Sequence, residues 1–305
     1  MSRLEQMFAY ARANHPRSVR GMEEALAKDP ELFTEVAEKF GGWAAGVHGD
    51  EGWAPLCVDA YVNFSNDVIM AQARYEADGH YENSSFAECE ASVYADREVM
   101  DEYLWGVFLT NFLWSHHMEL SRVFRDRFAR KIAANASVVE IAPGHGGWGV
   151  WLLSERPDAR LQAFDISPSS IAIASSIAKS AGVADRASYE RRNALDLSAL
   201  PAGEADACLC SFLIEHLEEP EKLVEVMAHL LKPGGKAWLT GALTAAQIDH
   251  IYEFRKESEL VLMAEKYGFR VLETMSVAPL RTLPKARFVP RSMGLLLQKR
   301  TTELG

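Results

Sequence analysis

Two groups of residues in this chain have types and spacing suited to chemistry. The first is a glycine cluster, Gly144-His145-Gly146-Gly147-Trp148-Gly149, with Glu140 before it and Asp165 after it. Glycines so spaced permit a tight turn and let backbone amides come close to a ligand. The run fits G-x-G-x-x-G, a dinucleotide fingerprint, which also expects an acid at the end of the following strand, where Asp165 stands. Glu140 separates two readings. A carboxylate beside the loop repels a pyrophosphate, by roughly 4 kcal/mol for a pair 4 Å apart at an effective dielectric near 20. The same charge suits a ligand that carries a cation and no phosphate there. The second group is histidine. His116 and His117 lie in an aromatic stretch ahead of the glycine cluster, His145 lies within it, and His216 and His250 follow two later apolar runs. A histidine beside a bound acceptor can take a proton as that acceptor attacks. His117, His216 and His250 are the candidate bases, ahead of His145. Tyr103, Trp114 and Tyr252 are candidate substrate contacts. Cys208 and Cys210 alternate in the apolar run DACLCSFLI, too near in sequence for an ordinary disulfide, and no second pair completes a metal site. They read as buried thiols, and no metal is expected.

These residues must be positioned by elements that the hydrophobic pattern also indicates. From residue 136, strand-like and helical segments alternate: SVVEIA, GWGVWLLSERP, ARLQAFDI, SPSSIAIASSIAKSAG, ASYERRNAL, ADACLCSFLI, PEKLVEVMAHLL and GGKAWLTGAL. Such alternation argues for a parallel sheet with helices on both faces. GFRVLETMSV and SMGLLLQKR add two strands, expected to pair as an edge hairpin across a short connection. The expected fold class is therefore α/β: a doubly wound, mostly parallel, seven-stranded Rossmann-like sheet with an N-terminal helical segment. In that segment SRLEQMFAYARA is helical, Pro30 opens a second helix that Gly41-Gly42 should end, and APLCVDAYVNFSNDVIMAQARYE is a further helix. ADGHYENSSFAE reads as a loop. Residues 95–131 read as one aromatic helix on which Tyr103, Val107, Thr110, Trp114 and His117 share a face, provided that Gly106 does not break it. The expected organisation is a helical cap or oligomerisation segment over residues 1–94. Residues 95–305 form the ligand-binding domain, with the aromatic lead-in helix at 95–131 and the sheet core from 136.

EIAPGHG resembles motif I of the class I S-adenosylmethionine-dependent methyltransferases, usually E/D-x-G-x-G-x-G. Ala142 stands where the first glycine is usual, and Gly144 and Gly146 hold the other two places. Alanine suits most turns except those with positive φ. FDIS resembles motif II, which implies that Asp165 accepts from both ribose hydroxyls. RRNALDL resembles the adenine-binding segment, with Asn193 and the backbone of Ala194 in place. ADACLCSFLIEHLEEPEKLVEVMAHLLKPGG resembles the motif IV strand, the loop after it and the LLKPGG turn, and is the most specific stretch. The resemblance covers about residues 130–305. It implies S-adenosyl-L-methionine as cofactor, contacted by Glu140, Gly144, Gly146, Asp165, Ile166, Asn193, Ala194 and Ser211. It also implies direct methyl displacement that requires no metal. The expected function is methylation of a small-molecule acceptor in secondary metabolism. The rival readings are an NAD(P)-dependent oxidoreductase using GHGGWG, a non-catalytic methyltransferase-like binding protein, and a methyltransferase for a protein or carrier-bound substrate.

Composition narrows the partners. The formal net charge is -11, from 43 acidic and 32 basic residues. Lys285, Arg287 and Arg291 form only a thin basic cluster, so a nucleic-acid partner is not expected. The N-terminal stretch is interrupted by Glu5 and reads as a helix, not a signal peptide. No continuous apolar run is long enough to cross a membrane. A cytoplasmic protein is expected, with a homodimer as the one macromolecular association kept open.

Overall fold

The computed structural model describes residues 1–89 and 96–301. Its centre is one seven-stranded sheet in the order β3-β2-β1-β4-β5-β7-β6. The strands are β1 (Ser137–Ile141), β2 (Arg160–Asp165), β3 (Ala187–Arg191), β4 (Ala205–Ser211), β5 (Leu231–Leu243), β6 (Phe269–Val277) and β7 (Arg291–Lys299). The first five pair in parallel, whereas β7 runs antiparallel to both β5 and β6. The sheet is thus α/β, doubly wound and mostly parallel. β1 and β4 are nearly buried throughout, as strands covered on both faces must be, and β6 alternates along its length as an edge strand does. The expected hairpin is present, but its connection spans residues 278–290 and is not short. β7 takes the inner place and β6 the edge.

Eleven helices occur among the described residues. Before the sheet come α1 (Arg3–Asn14), α2 (Pro16–Lys28), α3 (Pro30–His48), α4 (Trp53–Asp78), α5 (Phe86–Cys89), α6 (Arg97–Leu113) and α7 (Ser115–Val123). Within it come α8 (Gly147–Glu155), α9 (Pro168–Ser180), α10 (Pro220–Leu230) and α11 (Glu257–Lys266). Ser2 and Glu5 cap α1 reciprocally, and Asp29 with Pro30 starts α3. Two expectations fail here. α3 runs through Gly41-Gly42 and stops at Gly49, whose φ is 81°. Gly41 serves packing instead: a Cβ there would stand 2.9 Å from the Arg3 Cβ and 3.0 Å from Trp53. The aromatic stretch is not one helix either. Gly106 leaves α6 intact, and the break falls at Trp114, an extended residue with φ −94° and ψ 118°. The bend directs α7 across the sheet, where it packs on β6 and β7. After α7 the chain widens into a π-helical turn, Phe124–Phe128.

One apolar core joins α1–α4 and α6 to α8, α9 and one sheet face, through residues such as Phe33, Phe40, Phe108, Trp151 and Leu161. The other face carries a second core, in which Cys208 and Cys210 lie with Leu223, Leu260 and Leu295. Both thiols are buried and unpaired with each other, as the alternation predicts. No helix among the described residues is long and apolar enough to cross a membrane.

Candidate active site

β1 has β2 on one side and β4 on the other, so the chain leaves it in opposite directions. Ligands of open α/β sheets sit at such a switch point, beyond the carboxyl ends of the strands. Here that region opens into a cavity of about 950 Å³.

Its first wall is the glycine loop. The Ala142 N–H donates to the Phe164 carbonyl at 2.8 Å, which extends the β1–β2 ladder by one rung. That rung holds Ala142 at φ 52°, the left-handed region that costs a non-glycine residue about 1–2 kcal/mol. Alanine thus occupies the conformation it suits least. Gly144 has φ 54° and lines the cavity, and a Cβ there would meet nothing nearer than Leu104 at 3.6 Å. Gly146 differs. Its φ is 76°, it does not line the cavity, and a Cβ would stand 2.6 Å from the Ala174 Cβ of α9. This glycine lets α9 close on the loop. Glu140 lies beneath the loop, also outside the cavity wall, where Oε1 accepts from the Gly149 N–H at 3.2 Å. Burial pushes its carboxyl up to about 8. His145 spends its Nδ1 on the Gly147 N–H at 2.9 Å, and burial lowers its pKa to about 3.

Asp165 ends β2 with Oδ2 accepting from the Gly144 N–H at 3.1 Å and Oδ1 from the Ser167 N–H at 2.9 Å. Ile166, Asn193, Ala194 and Ser211 line the same cavity. The Asn193 Oδ1 accepts from the Leu195 N–H at 2.9 Å and so caps a short 3-10 turn. Phe212, which directly follows β4, has φ 53° and also reaches the wall.

The far wall is assembled from distant segments. Tyr103 and Trp114 line it, with His117, His216 and His250. The His117 ring stacks on Phe212 at 4.8 Å, and its Nε2 lies 3.1 Å from the Ser292 hydroxyl. Burial holds its pKa well below the usual value. His216 donates from Nδ1 to the Asp249 carbonyl at 2.9 Å, and His250 from Nδ1 to the Ala245 carbonyl at 2.7 Å. Tyr252 falls outside the wall. It packs on the second core, and its backbone N–H, with that of Ile251, donates to the Glu215 carbonyl at 2.9 Å. Two acids here were not among the candidates. Glu215 is fully buried at the wall and Asp249 fully buried behind it, hydrogen-bonded to the Tyr103 hydroxyl. The available signal was two acid–histidine dipeptides, Glu215-His216 and Asp249-His250, following neighbouring strands. The connection 278–290 closes one side through Pro279, Leu283 and Pro284, and its Arg281 ion-pairs with Glu24 of α2.

Residues 138–235 match the family described as "Methyltransferase domain". The chain is 35% identical over 115 residues to a ubiquinone biosynthesis O-methyltransferase of Xanthomonas axonopodis pv. citri, across 37% of this chain and 45% of that protein. It is 30% identical over 162 residues to the protein of the same name from Cupriavidus pinatubonensis, across 46% of this chain and 62% of that one. The chain thus spans about half the length of the curated relatives it matches. A solved O-methyltransferase family protein from Burkholderia thailandensis superposes with a TM-score of 0.54 at 15% identity, covering 83% of this chain and 74% of that one, a likeness of fold. The antiparallel β7 also departs from the 3-2-1-4-5-6 order of dinucleotide-binding sheets.

Proposed function

We propose, from the premise that this chain belongs to the class I S-adenosylmethionine-dependent methyltransferases, that it methylates an oxygen of a small, partly apolar or planar molecule. The observation that carries the reading is the single cavity with two unlike ends. At about 950 Å³ it lies at the upper end of the range of about 300–1,000 Å³ for small-molecule sites, room for a nucleoside and a second molecule. S-adenosylmethionine, when bound, supplies a methyl group already activated on a sulfonium, which leaves alignment and proton handling to the protein.

The loop end suits the nucleoside. Gly144 leaves space for close approach, and the Asp165 carboxylate, held by the Gly144 and Ser167 N–H groups, reaches the same wall, where it can accept from a ribose hydroxyl. Ile166, Asn193, Ala194 and Ser211 complete that wall. Glu140 and Gly146 act from behind, by supporting the loop and the approach of α9. At the other end Tyr103, Trp114 and Phe212 offer flat apolar surface to the acceptor. His117 is the base in this reading. Its depressed pKa keeps the ring neutral, and Nε2, beside the Ser292 hydroxyl, is the atom assigned to take the proton in this reading. His117 Nε2 would take the acceptor's hydroxyl proton as that oxygen is methylated, and the imidazolium so formed would leave the net charge of the buried cavity unchanged. The name of the curated relatives supports oxygen as the nucleophile.

Calorimetric titration tests this reading. S-adenosylhomocysteine should bind and NADH should not. Asp165→Ala should weaken the former by about 1.5–3 kcal/mol, the worth of a hydrogen bond to a charged group. Tight binding of NADH with none of S-adenosylhomocysteine would overturn it.

A further inference from the structure

Glu215, His216 and His250 each present one nitrogen or oxygen donor, and these atoms lie within 4.8 Å of one another. All three residues are buried and all three line the cavity. Three features set the cluster apart from ordinary core histidines. Each imidazole donates its Nδ1–H to a backbone carbonyl, His216 to Asp249 and His250 to Ala245. Nε2 is thereby the lone-pair atom of each ring, the tautomer and outer hydrogen bond typical of metal-ligating histidine. Secondly, the Glu215 carboxyl is 0% exposed and meets only poorly aligned N–H groups, those of Ala242 and of its own residue. Such a group is costly to bury unless a cation or donor meets it. Thirdly, the two segments are stapled together, since the Glu215 carbonyl accepts from both the Ile251 and the Tyr252 N–H groups at 2.9 Å.

We propose that Glu215, His216 and His250 bind a divalent transition-metal cation whose remaining coordination positions open into the cavity. Two imidazole nitrogens and one carboxylate suit Zn²⁺, Mn²⁺ or Fe²⁺ and disfavour Mg²⁺ and Ca²⁺, which prefer oxygen throughout. Bonds of about 2.0–2.1 Å put tetrahedral ligand atoms about 3.3 Å apart. Small side-chain rotations therefore close the cluster on the ion. An oxygen of a small molecule in the cavity can complete the shell. That last role rests on the methyl-transfer reading, whereas the metal site does not.

The test uses the full chain stripped with a chelator and titrated with Zn²⁺ in the absence of nucleoside. One equivalent should bind, and His250→Ala and Glu215→Gln should each weaken binding by at least about tenfold, with His229→Ala unchanged because His229 faces the Leu200 carbonyl elsewhere. Co²⁺ loaded into the unaltered chain reads the donors without any variant: its visible spectrum should change from that of the aquo ion to that of a nitrogen-and-oxygen site of low coordination. An aquo-like spectrum, or equal Zn²⁺ binding by the unaltered chain and His250→Ala, would overturn the proposal. Titrating the same samples with S-adenosylhomocysteine separates the two readings, since either can fail while the other stands.

Discussion

At the loop end of the cavity, the wall comes from segments just beyond the ends of β1, β2 and β3, and its hydrogen bonds run mainly to backbone amides: Gly144 and Ser167 to Asp165, Gly147 to His145, Leu195 to Asn193. At the far end, the segments that follow β4 and β5 contribute Glu215, His216 and His250, α6 and α7 contribute Tyr103 and His117, and β7 contributes Ser292. Side chains carry the polarity there, and burial keeps the His117 and His250 rings neutral. A backbone cradle recognises a constant partner and tolerates little change. A wall of side chains on separate elements can be altered one residue at a time without disturbing the other end. The two regions should therefore answer to mutation in different measurements.

The largest expected effect lies at the far end. His117→Ala should lower turnover by about 10²–10⁴-fold while S-adenosylhomocysteine affinity, read by calorimetry, stays unchanged. A parallel loss of affinity would mean that the two ends are one mechanical unit. Next, the two loop glycines should separate fold from binding. Gly146→Val meets Ala174 and a φ of 76°, and should cost about 2–5 kcal/mol in denaturant unfolding. Gly144→Val has open space ahead of it, so most of its cost should appear as lost S-adenosylhomocysteine binding. If Gly146→Val unfolds like the unaltered chain but fails to bind, the loop is ligand-facing throughout and the distinction is gone.

Glu140 gives a pH test with a definite sign. Its carboxyl moves from an ordinary 4.5 to about 8 in the fold, so between those values the native state holds a proton that the unfolded state has lost. Stability from this group is complete below about 4.5 and falls as pH rises towards 8, by on the order of 5 kcal/mol. In unfolding curves across that window, Glu140→Gln should show a much shallower decline. Equal slopes would place the carboxylate in contact with a donor or with water. The smallest effect is expected from Ala142→Gly. Relief of the left-handed strain is partly offset by the freer unfolded chain, for a gain of up to about 1 kcal/mol. A loss of stability would show that Ala142 is not strained.

The legible part of the site follows the same division. Gly144, Asp165, Asn193 and Ala194 were indicated by short motifs, because a strand, a turn and an acid at the next strand end are set by neighbours in sequence. Glu215 and Asp249 carry no comparable mark in the sequence, because burial at a shared wall is not a local property. Gly146 and Gly41 illustrate the same limit: a glycine looks alike in sequence whether it admits a ligand, as Gly144 can, or the neighbouring helix, as both of these do. Tyr252 shows the converse, an aromatic side chain placed at the right strand end but turned into the second core.

The sequence by itself determined the alternation of strands and helices, the α/β class and the backbone cradle beyond β1 and β2, since periodicity and turn chemistry act over a few residues. Only the tertiary structure decided that β7 lies inside β6 after a connection spanning residues 278–290, that the aromatic stretch bends at Trp114, and that His117 meets Phe212 and Ser292. Those outcomes depend on packing between segments as many as 175 residues apart. The free energy of such packing comes from surfaces that exist only once both partners are in place.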